Sequence, residues 1–195
     1  MAASPPDGPF VERYGPWAVV AGASEGLGEQ FARALAARGA RLLLLARRAD
    51  RLEALAEELR AAGHEVRVAP MDLAARDVRE RLEALCEDLD VGLVVYNAAY
   101  APVGDLCELE PDQLSQVVDV NVRAPLLLAH LFGRRLKARG RGGILLMSSL
   151  AGFQGTPRLS SYAASKAFNT VLAGAGFSDD TGLAHPLGEQ RLAQD

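Results

Sequence analysis

A tyrosine and a lysine stand four residues apart in the stretch Tyr162-Ala163-Ala164-Ser165-Lys166, inside a segment predicted to be helical over residues 160–173. On a helix this spacing puts both side chains on one face, one turn apart. An ammonium beside a phenol favours the phenolate, so a tyrosine placed in this way can act as a general acid or base near neutral pH. Taken alone, the pair is more simply an amphipathic pair on a helix surface.

Two other groups of polar residues lie where apolar or helix-forming residues would be expected. Ser148 and Ser149 follow an apolar run predicted as a strand over residues 143–147, so a serine hydroxyl can lie at the mouth of a sheet. The simpler interpretation is a polar strand end. Asn121 falls inside a predicted helix, where asparagine is a poor helix former. It could serve a site, or it could stabilise the sheet through backbone hydrogen bonds.

A glycine turn with the spacing Gly22-x-x-x-Gly26-x-Gly28 joins a predicted strand over 17–21 to a predicted helix over 26–38. We expect the apolar face of this helix to consist of Leu27, Phe31, Ala34 and Leu35. Free N–H groups and the helix dipole meet at such a turn, and the missing side chains let a pyrophosphate approach. The alternative is a tight strand–helix connection without a ligand.

Strands and helices alternate along the chain. Strands are predicted over residues 17–21, 41–46, 65–69, 91–96 and 143–147, and helices over 26–38, 50–61, 75–89, 111–137 and 160–173. Pro125 should bend or interrupt the helix over 111–137. Five alternations indicate an α/β fold with a parallel sheet, which binds ligands at the carboxyl ends of its strands where the strand order reverses.

Composition narrows the possible functions. The chain has 195 residues and a formal net charge of −4, which is typical of one globular domain without a general attraction to nucleic acid. Cys86 and Cys107 lie far apart and read as reduced thiols of a cytoplasmic protein. The three histidines are scattered, so we expect no metal site, and the longest apolar runs are too short for a membrane span.

Residues 1–15 are predicted to be a flexible leader, with Phe10, Val11 and Tyr14 able to pack on the domain.

Several pieces, taken together and in order, resemble the short-chain dehydrogenase/reductase family over about residues 14–172. The matching pieces are Gly22, Gly26 and Gly28 with Ala21 where threonine is usual, Asp72 after the third strand, Asn97-Ala98-Ala99 with Ala99 in place of glycine, Asn121, Ser149, Tyr162 and Lys166. Each piece alone is weak evidence. The resemblance implies a Rossmann-type doubly wound parallel sheet of about five strands, with residues 16–173 as the NAD(P)-binding domain.

The resemblance also implies an oxidoreductase that transfers hydride between a nicotinamide and a small carbonyl or alcohol substrate. Tyr162 would exchange a proton with the substrate oxygen, and Ser149 would hydrogen-bond that oxygen. Lys166 would bind the nicotinamide ribose and favour the tyrosinate, and Asn121 would hold a water that links Lys166 to solvent. The cofactor contacts implied are Gly22, Ser24, Gly26, Leu27, Gly28, Arg47, Arg48, Asp72, Asn97, Tyr162 and Lys166. Asp72 could instead cap the helix over 75–89.

The end of the second strand bears on cofactor choice. Ala46 stands where an acidic residue would bind the 2′-hydroxyl of NAD(H), and Arg47 and Arg48 follow it. A guanidinium suits a phosphate, so we predict NADP(H) over NAD(H). Glu25 in the glycine turn and the nearby Asp50 oppose this choice. The two arginines could also be a solvated charge run.

The sequence departs from the family after the tyrosine helix. Family members continue with further strands, a Pro-Gly and a substrate lid, whereas residues 174–195 have no strand pattern and are predicted to be an irregular tail. A truncated or replaced carboxyl end is the simplest hypothesis. The alternative function is therefore a non-catalytic family member that binds nucleotide or pairs with a full-length relative. A homo-oligomer through the helices over 111–137 and 160–173 is also possible on this pattern.

Overall fold

Five apolar runs form the strands of one parallel sheet. The structure is a computed structural model and describes residues 9–175. The strands are β1 (Trp17–Ala21), β2 (Arg41–Ala46), β3 (Val66–Pro70), β4 (Val91–Tyr96) and β5 (Gly143–Leu146). Their order is β3-β2-β1-β4-β5, and every neighbouring pair is parallel. The order reverses at β1, so the carboxyl ends of β1 and β4 flank the point where such sheets bind ligands.

One helix precedes β1, and every strand is followed by at least one helix. They are α1 (Pro9–Tyr14), α2 (Gly26–Ala36), α3 (Ala49–Ala61), α4 (Val78–Leu85), α5 (Pro111–Val118), α6 (Ala124–Arg139) and α7 (Ser160–Ala175). A π-helical turn, Asp119–Arg123, joins α5 to α6, and a 3-10 turn, Leu150–Phe153, follows β5. Among the described helices none is both long and apolar enough to cross a bilayer.

The sheet is buried on both faces, which confirms the predicted doubly wound architecture. Along β1, Val19 packs into one apolar cluster with residues of α4 and α6, such as Leu82 and Phe132. Its neighbour Val20 packs into a second cluster with residues of α2 and α3, such as Leu35. Adjacent residues of a strand face opposite sides of the sheet, and each side is covered by a layer of helices. The sequences of β1, β2 and β4 are therefore almost continuously apolar.

The buried face of α2 differs from the predicted one. Gly28, Ala32, Leu35 and Ala36 face the sheet, whereas Leu27 is 61% exposed. The small residues let α2 lie close to the glycine turn, and this rotates the helix so that Leu27 points outward. Of the four positions predicted as apolar contacts, only Leu35 is fully buried.

The predicted long helix over 111–137 is helical throughout but not regular. Its irregularity is the π-helical turn at Asp119–Arg123, which ends just before Pro125. Proline has no N–H to donate to a carbonyl of the preceding turn. The backbone accommodates this by widening one turn, in which the N–H of Ala124 bonds the carbonyl of Asp119, five residues earlier.

The remaining differences lie at element ends and at the termini. The helix predicted over 75–89 is limited to α4, and β3 is displaced by one residue. Within the predicted leader, residues 9–14 form the helix α1, and Phe10 packs against the cluster on the α2 side of the sheet. The sequence predicts a tail that begins at residue 174, but residues 174 and 175 are the last residues of α7. Residues 1–8 and the rest of the predicted tail, residues 176–195, lie outside the described residues.

Candidate active site

A cleft of about 470 Å³ opens at the carboxyl ends of β1, β2 and β4. Its lining comes from the end of β2, from the loops that follow β1, β2, β3 and β4, and from the π-helical turn: Gly22, Ser24, Glu25, Ala46, Arg47, Arg48, Met71, Asp72, Leu73, Asn97, Ala98, Ala99, Tyr100 and Val120. The cleft therefore lies at the reversal of strand order, where the chain alternation predicts a ligand.

The glycine turn forms one wall of the cleft and has no room for side chains. Gly22 has φ +83°, and a Cβ there would lie 2.6 Å from the backbone nitrogen of Ala98. A Cβ on Gly28 would lie 1.9 Å from the carbonyl oxygen of Gly22. Both glycines thus allow close approach of backbone to backbone, which brings the first turn of α2 to the edge of the cleft.

The N-terminus of α2 is left open to an anion. Glu25 stands at its N-cap position in an extended conformation, but its side chain accepts no capping hydrogen bond. A Cβ on Gly26, which has φ +58°, would meet no atom within 4 Å. Uncapped N–H groups beside open space are what a pyrophosphate requires, so the residues present fit the nucleotide implied by the sequence.

Asn97 ties the loop after β4 to the glycine turn. Its Nδ2 donates a hydrogen bond to the carbonyl of Gly22 at 3.1 Å, and its backbone N–H donates to Ala21 at 2.9 Å. Asn97 lines the cleft, yet its amide is engaged by protein backbone. Its role in this geometry is to hold the turn in place.

Arg48 is held at the cleft by two groups of the glycine turn. Its Nη2 lies 2.6 Å from a carboxylate oxygen of Glu25 and donates to the Ser24 hydroxyl at 3.2 Å. Arg51 approaches the same carboxylate at 3.6 Å. The hydrogen bond from Arg48 lowers the pKa of Glu25 from its ordinary value. Arg47 lines the cleft and is exposed.

Asp72 lies at the cleft without capping a helix. One of its carboxylate oxygens accepts a hydrogen bond from the backbone N–H of Ala74 at 3.0 Å, which makes a local Asx turn. The following helix α4 begins at Val78 and has Asp77 at its N-cap position. The alternative that Asp72 caps this helix is therefore wrong.

Asn121 joins the cleft to α7. Its Oδ1 accepts from the N–H of Tyr100 at 2.8 Å, and its Nδ2 donates to the carbonyl of Tyr100 at 2.8 Å. The same Nδ2 donates to the hydroxyl of Ser165 at 3.0 Å, and that hydroxyl donates to the carbonyl of Tyr162 at 2.7 Å. Asn121 is fully buried in the π-helical turn. One amide thus links the loop after β4 to the helix that carries Tyr162.

Lys166 is buried beside Tyr162. Only 2% of Lys166 is exposed, and its Nζ donates to the carbonyl of Met147 at 2.7 Å. The ammonium lies 5.6 Å from the centroid of the Tyr162 ring. Burial disfavours the charged form and lowers the pKa of Lys166 to about 8. The amino group therefore lies beside an aromatic ring and away from bulk water.

The two serines after β5 have different partners. The Ser148 hydroxyl bonds the carbonyl of Lys166 at 2.9 Å and the hydroxyl of Thr170 at 2.7 Å, which attaches α7 to the end of β5. Ser149 is the N-cap of the 3-10 turn, and its Oγ accepts from the N–H of Ala151 at 3.2 Å. Since Oγ acts there as an acceptor, the Ser149 proton is left for another partner.

The predicted residues fall into two groups. Gly22, Ser24, Arg47, Arg48, Asp72 and Asn97 line the cleft, while Gly26, Leu27 and Gly28 lie at the adjoining end of α2. Ser149, Tyr162 and Lys166 lie on the 3-10 turn and α7 and do not line this cleft. Asn121 connects the two groups. No group of three or more potential metal-binding side chains occurs within residues 9–175.

Sequence reasoning misses three residues that join these groups. Tyr100 offers both backbone groups to Asn121, Ser165 relays Asn121 to α7, and the Tyr96 hydroxyl donates to the carbonyl of Val120 at 2.6 Å. Ser165 could have been found from its position three residues after Tyr162. Tyr96 could have been noticed as a hydroxyl at the end of an otherwise apolar strand.

Comparison with known proteins places this geometry in a family. The family model described as short chain dehydrogenase matches residues 16–178. A 7beta-hydroxysteroid dehydrogenase of Clostridium sardiniense is 37% identical over 170 residues, which cover 86% of this chain and 65% of the relative. A very-long-chain 3-oxoacyl-CoA reductase of Podospora anserina is 40% identical over 171 residues, which cover 83% of this chain and 50% of the relative.

A solved structure supports the same placement. A short-chain dehydrogenase from Sphingobium yanoikuyae in complex with NADPH superposes with a TM-score of 0.77 and 32% identity, over 81% of this chain and 63% of that one. The chain thus spans between half and two thirds of the length of these relatives. The model match, the identities and the shared fold together confirm the resemblance, and the chain belongs to the short-chain dehydrogenase family.

Proposed function

We propose that this chain is an NADP(H)-dependent oxidoreductase that interconverts a carbonyl and an alcohol. The observation that carries the proposal is the buried Lys166, one helical turn from Tyr162, with its ammonium 5.6 Å from the tyrosine ring. In this proposal residues 16–173 form the nucleotide-binding domain and also supply the catalytic residues. The two cysteines are free thiols, which favours a reducing compartment such as the cytoplasm.

The nicotinamide, when bound, supplies or accepts the hydride. Tyr162 donates a proton to the substrate oxygen during reduction and takes it back during oxidation. The ammonium of Lys166 favours the phenolate that remains, because an opposite charge nearby stabilises it. The carbonyl of Met147 takes one of the three N–H bonds of Lys166, so the others can reach ribose hydroxyls. Ser149 donates its free proton to the substrate oxygen, and Asn121 holds a water next to Lys166.

The cofactor side of the proposal rests on the arginines of the cleft. Arg48 is positioned at the cleft wall by Ser24 and Glu25, and Arg47 lies beside it. A 2′-phosphate would find guanidinium donors there, which favours NADP(H) over NAD(H). The NADPH complex of the Sphingobium yanoikuyae relative supports this choice. The glycine turn and the open end of α2 would bind the pyrophosphate.

The substrate is proposed to be a ketone or alcohol on a large apolar skeleton. The relatives named above act on a hydroxysteroid and on a very-long-chain 3-oxoacyl-CoA, as their names state. In this chain the loop after β4 exposes Val103 and Leu106, and the 3-10 turn after Ser149 exposes Leu150 and Phe153. Exposed apolar side chains of this size near a site suit an apolar ligand.

Turnover tests the proposal directly. Purified protein is mixed with NADPH or NADH and with a ketosteroid, a 3-oxoacyl thioester or a small ketone, and the nicotinamide absorbance is followed. We expect turnover with NADPH that falls by at least about a hundredfold in Tyr162→Phe, the scale of a lost proton-transfer group. Tyr14→Phe, remote from the site, is the matched control. Equal turnover in wild type and Tyr162→Phe would contradict the assignment.

A second function is favoured by one observation, which is that the helices after β4 expose large apolar side chains. In this second function, the chain is a non-catalytic family member that binds nucleotide through the cleft. It would pair with a longer relative or with a second copy through α5, α6 and α7, which expose Val118, Leu126 and Val171. NADPH binding without turnover on any substrate supports this second function.

A further inference from the structure

The π-helical turn leaves one buried carbonyl without a partner in its own helix. In a π turn the carbonyl of Val120 would accept from residue 125, which is proline and has no N–H. The N–H of Ala124, its partner in a regular α-helix, bonds Asp119 instead. Val120 is only 7% exposed, so water is a poor substitute. A buried carbonyl in this position needs a donor from elsewhere in the protein.

Tyr96 supplies that donor. It is the last residue of β4 and is 1% exposed, and its hydroxyl reaches the carbonyl of Val120 at 2.6 Å. A carbonyl can only accept, so the tyrosine hydroxyl is the donor. Burial raises the pKa of Tyr96 above its ordinary value, which keeps this proton on the oxygen. The bond connects the central sheet to the turn that carries Asn121.

The consequence reaches the candidate catalytic residues through Asn121. This residue follows Val120 directly, and its amide spans from the backbone of Tyr100 to the hydroxyl of Ser165 on α7. A shift of the π turn would misplace this amide with respect to both partners. The pair of Arg123 and Asp119, at 2.8 Å, also braces the turn. Arg123 further donates to the carbonyls of Ala74 and Ala75 in the loop after β3, so this second brace ends on a loop and not on a strand of the sheet.

We infer that Tyr96 is a positioning residue for the candidate active site: its hydroxyl replaces the hydrogen bond that Pro125 cannot donate and so holds Asn121 in place. This inference rests on the proposed function only where it makes Asn121 a site residue. The contact itself, and its link to Pro125, stand on the geometry of the chain.

Amide hydrogen exchange tests the inference without requiring activity. The reporter is the N–H of Tyr100, which is bonded by Asn121, and the reference is the N–H of a central strand residue such as Val19. In Tyr96→Phe we expect the Tyr100 amide to exchange about tenfold faster relative to Val19, since an unpaired buried carbonyl destabilises the turn. Tyr14→Phe is the matched control. Equal acceleration of both amides, or none, would overturn the inference.

Pro125→Ala provides the rescue. Alanine restores an N–H at position 125, so the carbonyl of Val120 no longer depends on Tyr96. We expect Tyr96→Phe to change the exchange of Tyr100 much less in the Pro125→Ala background than in the wild type, which is the signature of coupled sites. The same acceleration in both backgrounds would show that the hydroxyl does not compensate for the proline.

Two further measurements cover a Tyr96→Phe variant that does not fold. The double variant Tyr96→Phe/Pro125→Ala should then fold, and its failure to fold overturns the inference. In the wild type, proton NMR should detect a slowly exchanging hydroxyl resonance of Tyr96. The absence of this resonance would also overturn the inference. A failure of the proposed function is separately visible, because absent NADPH binding and turnover leave the exchange pattern unchanged.

Discussion

At the scale of single residues, burial decides how Lys166 behaves. The ammonium has a protein carbonyl, an aromatic ring and little water around it. Its position four residues after Tyr162 can be predicted from helical spacing, because both lie on one regular helix. The burial of Lys166 cannot be predicted in this way, since it depends on Met147 and the 3-10 turn, which approach α7 from other parts of the fold.

Lys166 should give the protein a recognisable pH dependence. Its pKa is lowered from 10.5 to about 8. Between about pH 8 and the ordinary lysine value near 10.4, the unfolded chain binds more protons, so this group adds stability as the pH rises, up to about 3 kcal/mol. We expect the free energy of unfolding of wild type, relative to Lys166→Met, to increase from pH 7 to pH 10 in urea titrations.

The comparison with Lys166→Met removes the contribution of all other groups, because they titrate in both proteins. The exposed Lys137→Met serves as the control for loss of a lysine. A difference between wild type and Lys166→Met that stays constant over this pH range would show that Lys166 is hydrated in solution.

Glu25 should limit the proposed preference for NADP(H). Its carboxylate occupies donors of Arg48 and would place a negative charge beside a 2′-phosphate. In Glu25→Gln we expect the dissociation constant of NADPH to fall several-fold while that of NADH hardly changes, as measured by nicotinamide fluorescence. Glu53→Gln, which breaks a comparable pair with Arg60 away from the cleft, is the control. Weaker NADPH binding in Glu25→Gln would mean that Glu25 orients Arg48 for the phosphate.

At the scale of elements, the position of α7 depends on the close approach of the 3-10 turn. A Cβ on Gly152 would lie 2.9 Å from the backbone nitrogen of Ala167 and 2.9 Å from the carbonyl carbon of Lys166. The neighbours are backbone atoms of a helix, which cannot move aside separately. The turn and the helix therefore form one packed unit, and Ser149 belongs to it together with Tyr162 and Lys166.

Gly152→Ala should push the 3-10 turn away from α7. We expect a loss of stability of about 1–3 kcal/mol, which is the range for overpacking, and a further loss of activity if the chain is an active enzyme. Urea unfolding measures the first effect. Gly155→Ala is the matched control, since a Cβ there meets no atom within 4 Å. Equal free energies of unfolding for the two variants would show that the turn can move away from α7 without loss of stability.

The elements also show where sequence reasoning succeeds. The ranges of β1, β2 and β4 follow directly from apolar runs, because a strand buried on both faces has almost no polar position; the exception is the exposed Arg41 at the start of β2. The face of α2 was not predicted correctly, because the approach allowed by Gly28 is a contact with Gly22 across the turn. The π turn likewise cannot be predicted from the spacing of apolar residues, since it depends on Pro125 together with the hydroxyl of a tyrosine on β4.

At the scale of the whole molecule, the sheet formed by residues 9–175 has an apolar strand at one edge. β5 pairs with β4, and its Ile144, Leu145 and Leu146 are only half-buried, in contrast to the central strands. Beside it, Leu150, Phe153 and Val171 are more than 60% exposed. A strand edge with neither charge nor proline, next to an apolar surface, favours association with another chain.

This surface should make the purified protein associate as its concentration rises. We expect the double variant Phe153→Lys/Val171→Lys to shift light-scattering masses toward the monomer with little change in unfolding free energy, because both side chains are exposed. Val103→Lys, a similarly exposed valine on the loop after β4, is the control for added charge. Identical masses for the double variant and the wild type would show that the surface does not mediate association.

The strand order has a consequence for how the molecule is made. The strand at the centre of the sheet, β1, is synthesised first, and its neighbours β2 and β4 are complete by Tyr96. Of the cleft lining, all but Val120 has been synthesised by Tyr100, before Asn121, Ser149, Tyr162 or Lys166 is added. A nucleotide that binds the folded cleft stabilises it by mass action. The cofactor can thus act on the nascent chain as a ligand for folding well before the residues that would use it chemically have been added.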